Sequence, residues 1–232
     1  MSKVAIIGPG AMGSLFAAKL ARSGVKVSLV DYKPQRADQL TKSGIIIEEP
    51  DGAIINERVT VSTQIPQGVD LILVLTKAYS TASLKLPPDT PVLTLQNGLG
   101  NVESLCSIVG SARVIAGTSS EAVTLLEQGR VRYAAKGRNV FGAWTSCPTE
   151  TAFKVLREAG FVVELTDTPG QIIWEKAAIS AGINPLSAIL DVPNGRLLEI
   201  SEIRQLMRDL VVEATKVAAT EGYRFPHSLV ES

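Results

Sequence analysis

Six residues near the start of the chain, Gly8-Pro9-Gly10-Ala11-Met12-Gly13, have the types and spacing to hold a dinucleotide pyrophosphate. Gly8 permits a tight turn, Gly10 has no side chain to block the phosphates, and Gly13 lets the next helix pack close to the preceding strand. The N–H groups and partial positive charge at the helix start then face the anion. A second constellation lies far downstream. Lys176, Ser180 and Asn184 recur four residues apart, so a helix places ammonium, hydroxyl and amide along one face. A hydroxy- or keto-acid needs several donors of this sort. Lys176 sits among Ala177, Ala178 and Ile179, where desolvation would lower its pKa and make it a better acid near neutral pH. The competing reading is an ammonium that snorkels to solvent or pairs with Glu175.

These groups need a scaffold that delivers loops to one edge. Strand-like runs at Val4–Ile7, Lys26–Val30, Val59–Ser62, Leu71–Leu75, Val92–Leu95 and Arg113–Ala116 alternate with helix-like segments, as in a parallel α/β sheet. Leu71-Ile72-Leu73-Val74-Leu75 is continuously apolar, as expected for a strand buried on both faces. Lys77 and Asn97-Gly98 follow two of these strands, at the carboxyl ends where open α/β sheets bind ligands; locally they also read as a solvated lysine and a tight turn. Glu49-Pro50-Asp51-Gly52 is turn chemistry for a hairpin over 45–58. Gln128-Gly129 suggests a second hairpin, with Arg138–Phe141 adding a strand beside it. Thr151–Ala159 reads as a helix ended by Gly160, and Phe161–Leu165 as a last strand. Strand patterning stops at Asp167-Thr168-Pro169-Gly170. Beyond it the chain reads as helical. One helix spans Ile172–Ile183, with Pro185 at its end or at a kink. A turn follows at Asn194-Gly195. Another helix spans Ser201–Glu221, with Ser201 as N-cap, Gly222 as stop, and an apolar face of Ile203, Leu206, Leu210, Val211, Ala214, Val217 and Ala218.

Composition narrows the class. With 232 residues, 45% of them apolar, the chain can bury a core in one large or two small domains. Basic and acidic residues balance at 23 each, which gives no electrostatic reason to expect nucleic acid or an anionic membrane as partner. Cys106 and Cys147 match neither metal spacing nor a disulfide framework, so no metal is expected and a reducing cytoplasm fits. No segment approaches the length of a membrane span, and there is no secretory signal.

Four further blocks stand in order behind the glycine loop: Leu75-Thr76-Lys77-Ala78; Leu95-Gln96-Asn97-Gly98-Leu99-Gly100; Trp174-Glu175-Lys176; and Ile183-Asn184-Pro185-Leu186 with Pro193-Asn194-Gly195. Together they resemble the ketopantoate reductase (2-dehydropantoate 2-reductase) family over nearly the whole chain. The resemblance implies a Rossmann dinucleotide-binding domain, residues 1–167, followed by an all-helical domain from residue 168 to 232, with the active site in the cleft between them. It implies reduction of the ketone of 2-dehydropantoate to (R)-pantoate with NADPH, on the way to pantothenate and coenzyme A. By the resemblance Lys176 is the proton donor, Lys77 lies against the cofactor, Asn97 touches cofactor and substrate, and Asn184 and Asn194 bind substrate. Hydride delivery to a ketone leaves a developing alkoxide that needs a proton. The only histidine, His227, lies outside every motif, so a lysine or tyrosine must serve, and Lys176 is the best placed.

The chain departs from the family pattern in three ways. Ser180 stands where the family usually has asparagine, which motivates a related dehydrogenase of 2-keto or 2-hydroxy acids. The family continues for further helices that supply a substrate-binding serine and a glutamate, so the helical domain is expected to be truncated. A short paralogue or fragment that binds dinucleotide without turnover, and a homodimer that completes the helical domain, are the corresponding alternatives. Finally, Asp31 closes the second strand eighteen residues after Gly13. An acid there accepts hydrogen bonds from a ribose 2′-hydroxyl and repels a 2′-phosphate, which favours NADH. Lys33 and Arg36 are close by and could bind the phosphate of NADPH instead.

Overall fold

The fold is that of a computed structural model, which describes residues 1–225 and 229. The chain divides into two compact units, Met1–Gln96 with Gly100–Pro169, and Asn97–Leu99 with the chain from Gly170 onward.

The first unit is built on β1 (Lys3–Ile7), α1 (Ala11–Arg22), β2 (Lys26–Val30), α2 (Pro34–Ser43), β3 (Ile45–Glu48), β4 (Ile54–Glu57), β5 (Thr60–Ser62) and β6 (Leu71–Val74). It continues through β7 (Val92–Thr94), α3 (Asn101–Val109), β8 (Val114–Ser119), β9 (Ala122–Glu127), β10 (Arg130–Ala135), β11 (Arg138–Ala143), α4 (Glu150–Glu158) and β12 (Val162–Leu165). Eight strands form one sheet in the order β12-β11-β8-β7-β6-β1-β2-β5. From β5 to β8 every pairing is parallel. The apolar run of β6 is buried at all four positions, because strands flank it and helices or loops cover both faces. The chain leaves β1 toward β2 and later returns to β6 on β1's other side. The carboxyl ends of β1 and β6 therefore border a topological switch point, where open α/β sheets hold ligands.

The two expected hairpins are present, β3–β4 and β9–β10, and they join through a parallel β3–β10 pairing into a second, four-stranded sheet. This sheet packs on α1. Glu48 of β3 accepts from Arg130 at 2.7 Å and Arg132 at 3.0 Å, and these guanidiniums hold its carboxyl below the usual range. Arg138–Phe141 does not extend this sheet, contrary to the sequence reading. As part of β11 it pairs antiparallel with β8 and parallel with β12 in the large sheet. Phe141 and Asn139, on one face of the strand, are fully buried there, and the backbone of β11 is paired with a strand on each flank. Glu121 ties the sheets together, accepting from Tyr133 Oη of β10 at 2.5 Å and from Asn139 Nδ2 of β11 at 2.8 Å. Burial first, then the carboxylate, raises the Tyr133 hydroxyl well above its ordinary pKa.

The second unit holds α5 (Pro169–Leu190), α6 (Asn194–Leu197) and α7 (Ser201–Thr220). Three local expectations need correction. First, α5 does not end at Ile183 but runs through Pro185 to Leu190. Proline forfeits one intrahelical bond, yet Leu186 is buried just beyond it, and that packing carries the helix on. Second, Asn194-Gly195 opens α6 rather than forming a turn. Third, Ser201 is the first residue of α7, not its N-cap; its hydroxyl donates to the Glu202 carboxylate at 2.8 Å. Gly222 does end α7. The N–H groups of Gly222 and Tyr223 bond to the carbonyls of Ala219 and Ala218 in a Schellman arrangement. On α7, Val211 and Ala218 are buried whereas Leu206 and Val217 are exposed. α5 and α7 approach closely at Gly182, where a Cβ would lie 2.7 Å from Val211 Cγ2. Among the described residues no helix is long and apolar enough to cross a membrane.

Candidate active site

In the first unit the glycine loop links β1 to α1. Gly8 turns with φ 109°, and a Cβ there would meet the Thr76 backbone nitrogen at 2.8 Å. A Cβ on Gly13 would lie 1.8 Å from the Gly8 carbonyl oxygen, so only glycine lets α1 sit this close to the loop. Gly10 differs from both, since a Cβ there meets nothing within 4 Å. Gly10 is the N-cap of α1, no side chain caps the terminus, and no acidic residue occupies the first turn. The first-turn N–H groups of Ala11, Met12 and Gly13 thus keep donor capacity for an anion. The open space at Gly10, the uncapped terminus and the absence of a local carboxylate all fit a dinucleotide pyrophosphate.

A cleft of about 740 Å³ opens at the same edge. Ile7 lines it from the end of β1, Gly8 and Pro9 from the glycine loop, Val30 and Tyr32 from the end of β2 and just beyond it, and Thr76 and Ser80 from the segment after β6. The segments Thr63–Ile65 and Ser83–Pro87 complete its wall. Sequence reading missed these last contributors. They carry no ligand motif, and only the sheet order brings them beside the glycine loop.

Asp31 is fully buried at the end of β2. Arg36 grips it with two donors, Nε to Oδ2 and Nη2 to Oδ1, the latter at 2.6 Å. The Lys33 N–H adds a third bond at 3.0 Å. The carboxylate in turn raises the Arg36 pKa. Arg36 also lies 5.6 Å over the exposed Tyr32 ring, a cation–π distance. Replacing Arg36 by methionine strands a buried carboxylate. Breaking a buried pair costs about 3–5 kcal/mol. Arg36 is partly exposed, so a loss of about 2–3 kcal/mol is expected once solvent screening is discounted. Urea unfolding reads this directly, and an unshifted midpoint would show the pair to be dispensable.

Lys77 and Asn97 are both exposed. Lys77 precedes the 3₁₀ segment Ala78–Ser83, and Asn97 follows Gln96 at the exit of β7. Gln96 itself bonds to Thr76, Thr81 and Thr94, a network that sequence spacing does not announce.

In the helical unit Lys176 and Ser180 are half-buried on α5, and Asn184 is exposed one turn further on. Burial pushes the Lys176 ammonium below its ordinary pKa. Asn194 lines a separate cavity of about 360 Å³ with Ile179, Ile183, Arg204, Met207 and Arg208. Lys176, Ser180 and Asn184 do not line that cavity. Among the described residues no cluster of His, Cys, Asp and Glu could hold a metal ion. His227 lies outside the described residues.

Comparison with known proteins places both units in one group. The family model described as ketopantoate reductase PanE/ApbA matches residues 4–146, and its C-terminal counterpart matches residues 170–232. A 2-dehydropantoate 2-reductase of Halobacterium salinarum is 31% identical over 239 residues, covering 99% of this chain and 79% of that protein. The structure of D-mandelate dehydrogenase with NADH and anilino(oxo)acetate superimposes with a TM-score of 0.90 at 26% identity, covering 99% of this chain and 78% of that one. That of 2-dehydropantoate 2-reductase from Geobacter metallireducens superimposes with a TM-score of 0.88 at 27% identity, covering 99% and 80%.

Proposed function

The chain belongs to the ketopantoate reductase family, and from this premise we propose that it reduces 2-dehydropantoate to (R)-pantoate at the expense of NADPH. The observation that carries the reading is that the family match spans both the glycine-loop unit and the unit bearing Lys176. The nicotinamide supplies the hydride when bound. Gly8 to Gly13 hold the pyrophosphate through backbone N–H groups, and Lys77 and Asn97 steady the nucleotide. Asn97, Ser180 and Asn184 orient the keto acid through hydroxyl and amide hydrogen bonds, and Asn194 is assigned to the substrate by the family resemblance, although it lines a cavity that these three do not. Lys176 donates its proton to the alkoxide oxygen as negative charge develops there. Its lowered pKa brings it nearer to neutrality, where a general acid is most effective.

Arg36 and Lys33 support NADPH. The Asp31 carboxylate is neutralised by Arg36, which removes its repulsion toward a 2′-phosphate, and Lys33 beside the pair supplies the positive charge for that phosphate. A second reading, an NADH-dependent dehydrogenase of other 2-keto acids, is supported by Asp31 at the strand end, by Ser180, and by likeness to D-mandelate dehydrogenase with NADH. Steady-state NADPH and NADH oxidation, with 2-dehydropantoate against branched and aryl 2-keto acids, separates them. We expect kcat/KM to be highest with NADPH and 2-dehydropantoate. A higher value with NADH and an aryl keto acid would transfer the assignment to the second reading. The free thiols of Cys106 and Cys147 suit the reducing cytoplasm, where we place the reaction.

A further inference from the structure

We propose that Gln96 is a positioning residue that fixes the Thr76–Lys77 backbone beside the glycine loop, an inference that rests on the reductase reading. Its Nε2 donates to the Thr76 carbonyl at 2.8 Å and to Thr81 Oγ1 at 3.0 Å, with Thr76 Oγ1 a third acceptor at 3.3 Å. Its Oε1 accepts from the Thr94 hydroxyl at 3.0 Å, and Thr94 Oγ1 accepts the Gln96 N–H at 3.2 Å. Thr81 passes its hydroxyl hydrogen to Asn101 Oδ1 at 3.1 Å. The polarity of the amide is therefore fixed. Turned over, it would set Oε1 against the Thr76 carbonyl, acceptor against acceptor.

Thr81, Thr94 and Asn101 are 1%, 2% and 4% exposed, so the network works where a lost partner is costly. One side chain thus joins the exits of β6 and β7, the 3₁₀ segment and α3. Thr76 immediately precedes Lys77, and Gly8 packs on the Leu75–Thr76 peptide. A displaced Thr76 carbonyl moves the Lys77 backbone and the floor of the pyrophosphate cradle together. Gln96 itself immediately precedes Asn97.

Gln96→Glu keeps the shape, removes both donors and faces the Thr76 carbonyl with an acceptor. Thr81→Val removes two bonds, the acceptor for Gln96 Nε2 and the donor to Asn101 Oδ1, and leaves Gln96 bonded to Thr76 and Thr94. For the full chain and both variants, calorimetry gives the NADPH Kd. The deuterium isotope effect on kcat, with NADPH labelled at the transferred hydrogen and 2-dehydropantoate as substrate, reports the hydride step. Leaving a buried acceptor against an acceptor is worth about 10–100-fold. The expected result for Gln96→Glu is a Kd raised by about that factor and a larger isotope effect, as a misplaced hydride step becomes rate-limiting. Thr81→Val moves both in the same direction by less, and it decides the matter if Gln96→Glu does not fold. A purely structural role would lower Tm and leave the isotope effect unchanged, which overturns the assignment. Wild-type Kd and isotope effect in both variants overturn it too. A wild-type chain that binds no nicotinamide nucleotide overturns the reductase reading and this assignment together.

Discussion

Lys176→Ala lowers kcat by about two to four orders of magnitude, the range that a positioned general acid contributes, and leaves the NADPH Kd within about twofold, since losses confined to the transition state spare ground-state binding. The physical ground is the half-buried position of the ammonium on a largely apolar stretch of α5. Burial disfavours its charged form and lowers its pKa. The sign follows from the direction of reaction. Ketone reduction consumes a proton, so the protonated lysine is the active form, and kcat falls as pH rises through its pKa. That fall begins at lower pH than an ordinary lysine, near 10.4, would give. Lys176→Ala removes this limb of the profile. Lys176→Arg keeps a positive charge but holds its proton too tightly to donate it, so it does not restore turnover. Single-turnover rates across pH, beside calorimetric Kd values, test the set. A Lys176→Ala enzyme with wild-type kcat would take the proton-donor role away from this residue.

The second large effect separates two glycines of one loop. Gly10→Val is expected to leave the fold intact and to abolish tight nucleotide binding. Its backbone, φ −81° and ψ −166°, is extended and open to any residue, and a Cβ there meets no neighbour within 4 Å. The space a valine would fill is the space a pyrophosphate needs. Each hydrogen bond to a charged group is worth about 1.5–3 kcal/mol, so losing two weakens binding by at least about a hundredfold. Gly13→Ala does the reverse. Alanine is the better helix former by about 1 kcal/mol. Its Cβ, however, would sit 1.8 Å from the Gly8 carbonyl oxygen, and forcing α1 away from the loop costs about 1–3 kcal/mol or more. Strain wins, so Gly13→Ala lowers Tm before any ligand is added, whereas Gly10→Val lowers only the ligand-induced rise in Tm. Thermal melts with and without NADPH read both. A Gly10→Val protein that keeps wild-type affinity would place the pyrophosphate elsewhere.

Features that depend on neighbours along the chain were legible from residue types. Val4–Ile7 followed by the glycine loop, the all-apolar Leu71–Val74, and the turn chemistry at Glu49–Gly52 and Gln128-Gly129 each encode their own local geometry. Backbone preference and side-chain periodicity act over a few residues. The polar face of Lys176, Ser180 and Asn184 was legible for the same reason, because helical spacing alone aligns it. Partner choice between distant segments was not. β11 could have extended the small sheet and instead lies between β8 and β12, since the burial of Asn139 and Phe141 is decided by strands elsewhere in the chain. α5 continues past Pro185 although local rules allowed an end there, because a tertiary contact can outweigh one lost backbone bond. The capture of Asp31 by Arg36 and the Gln96 network depend on where buried donors and acceptors meet once the sheet has closed. Hydrogen bonds spanning 15 and 20 positions leave no periodic trace in the order of residues.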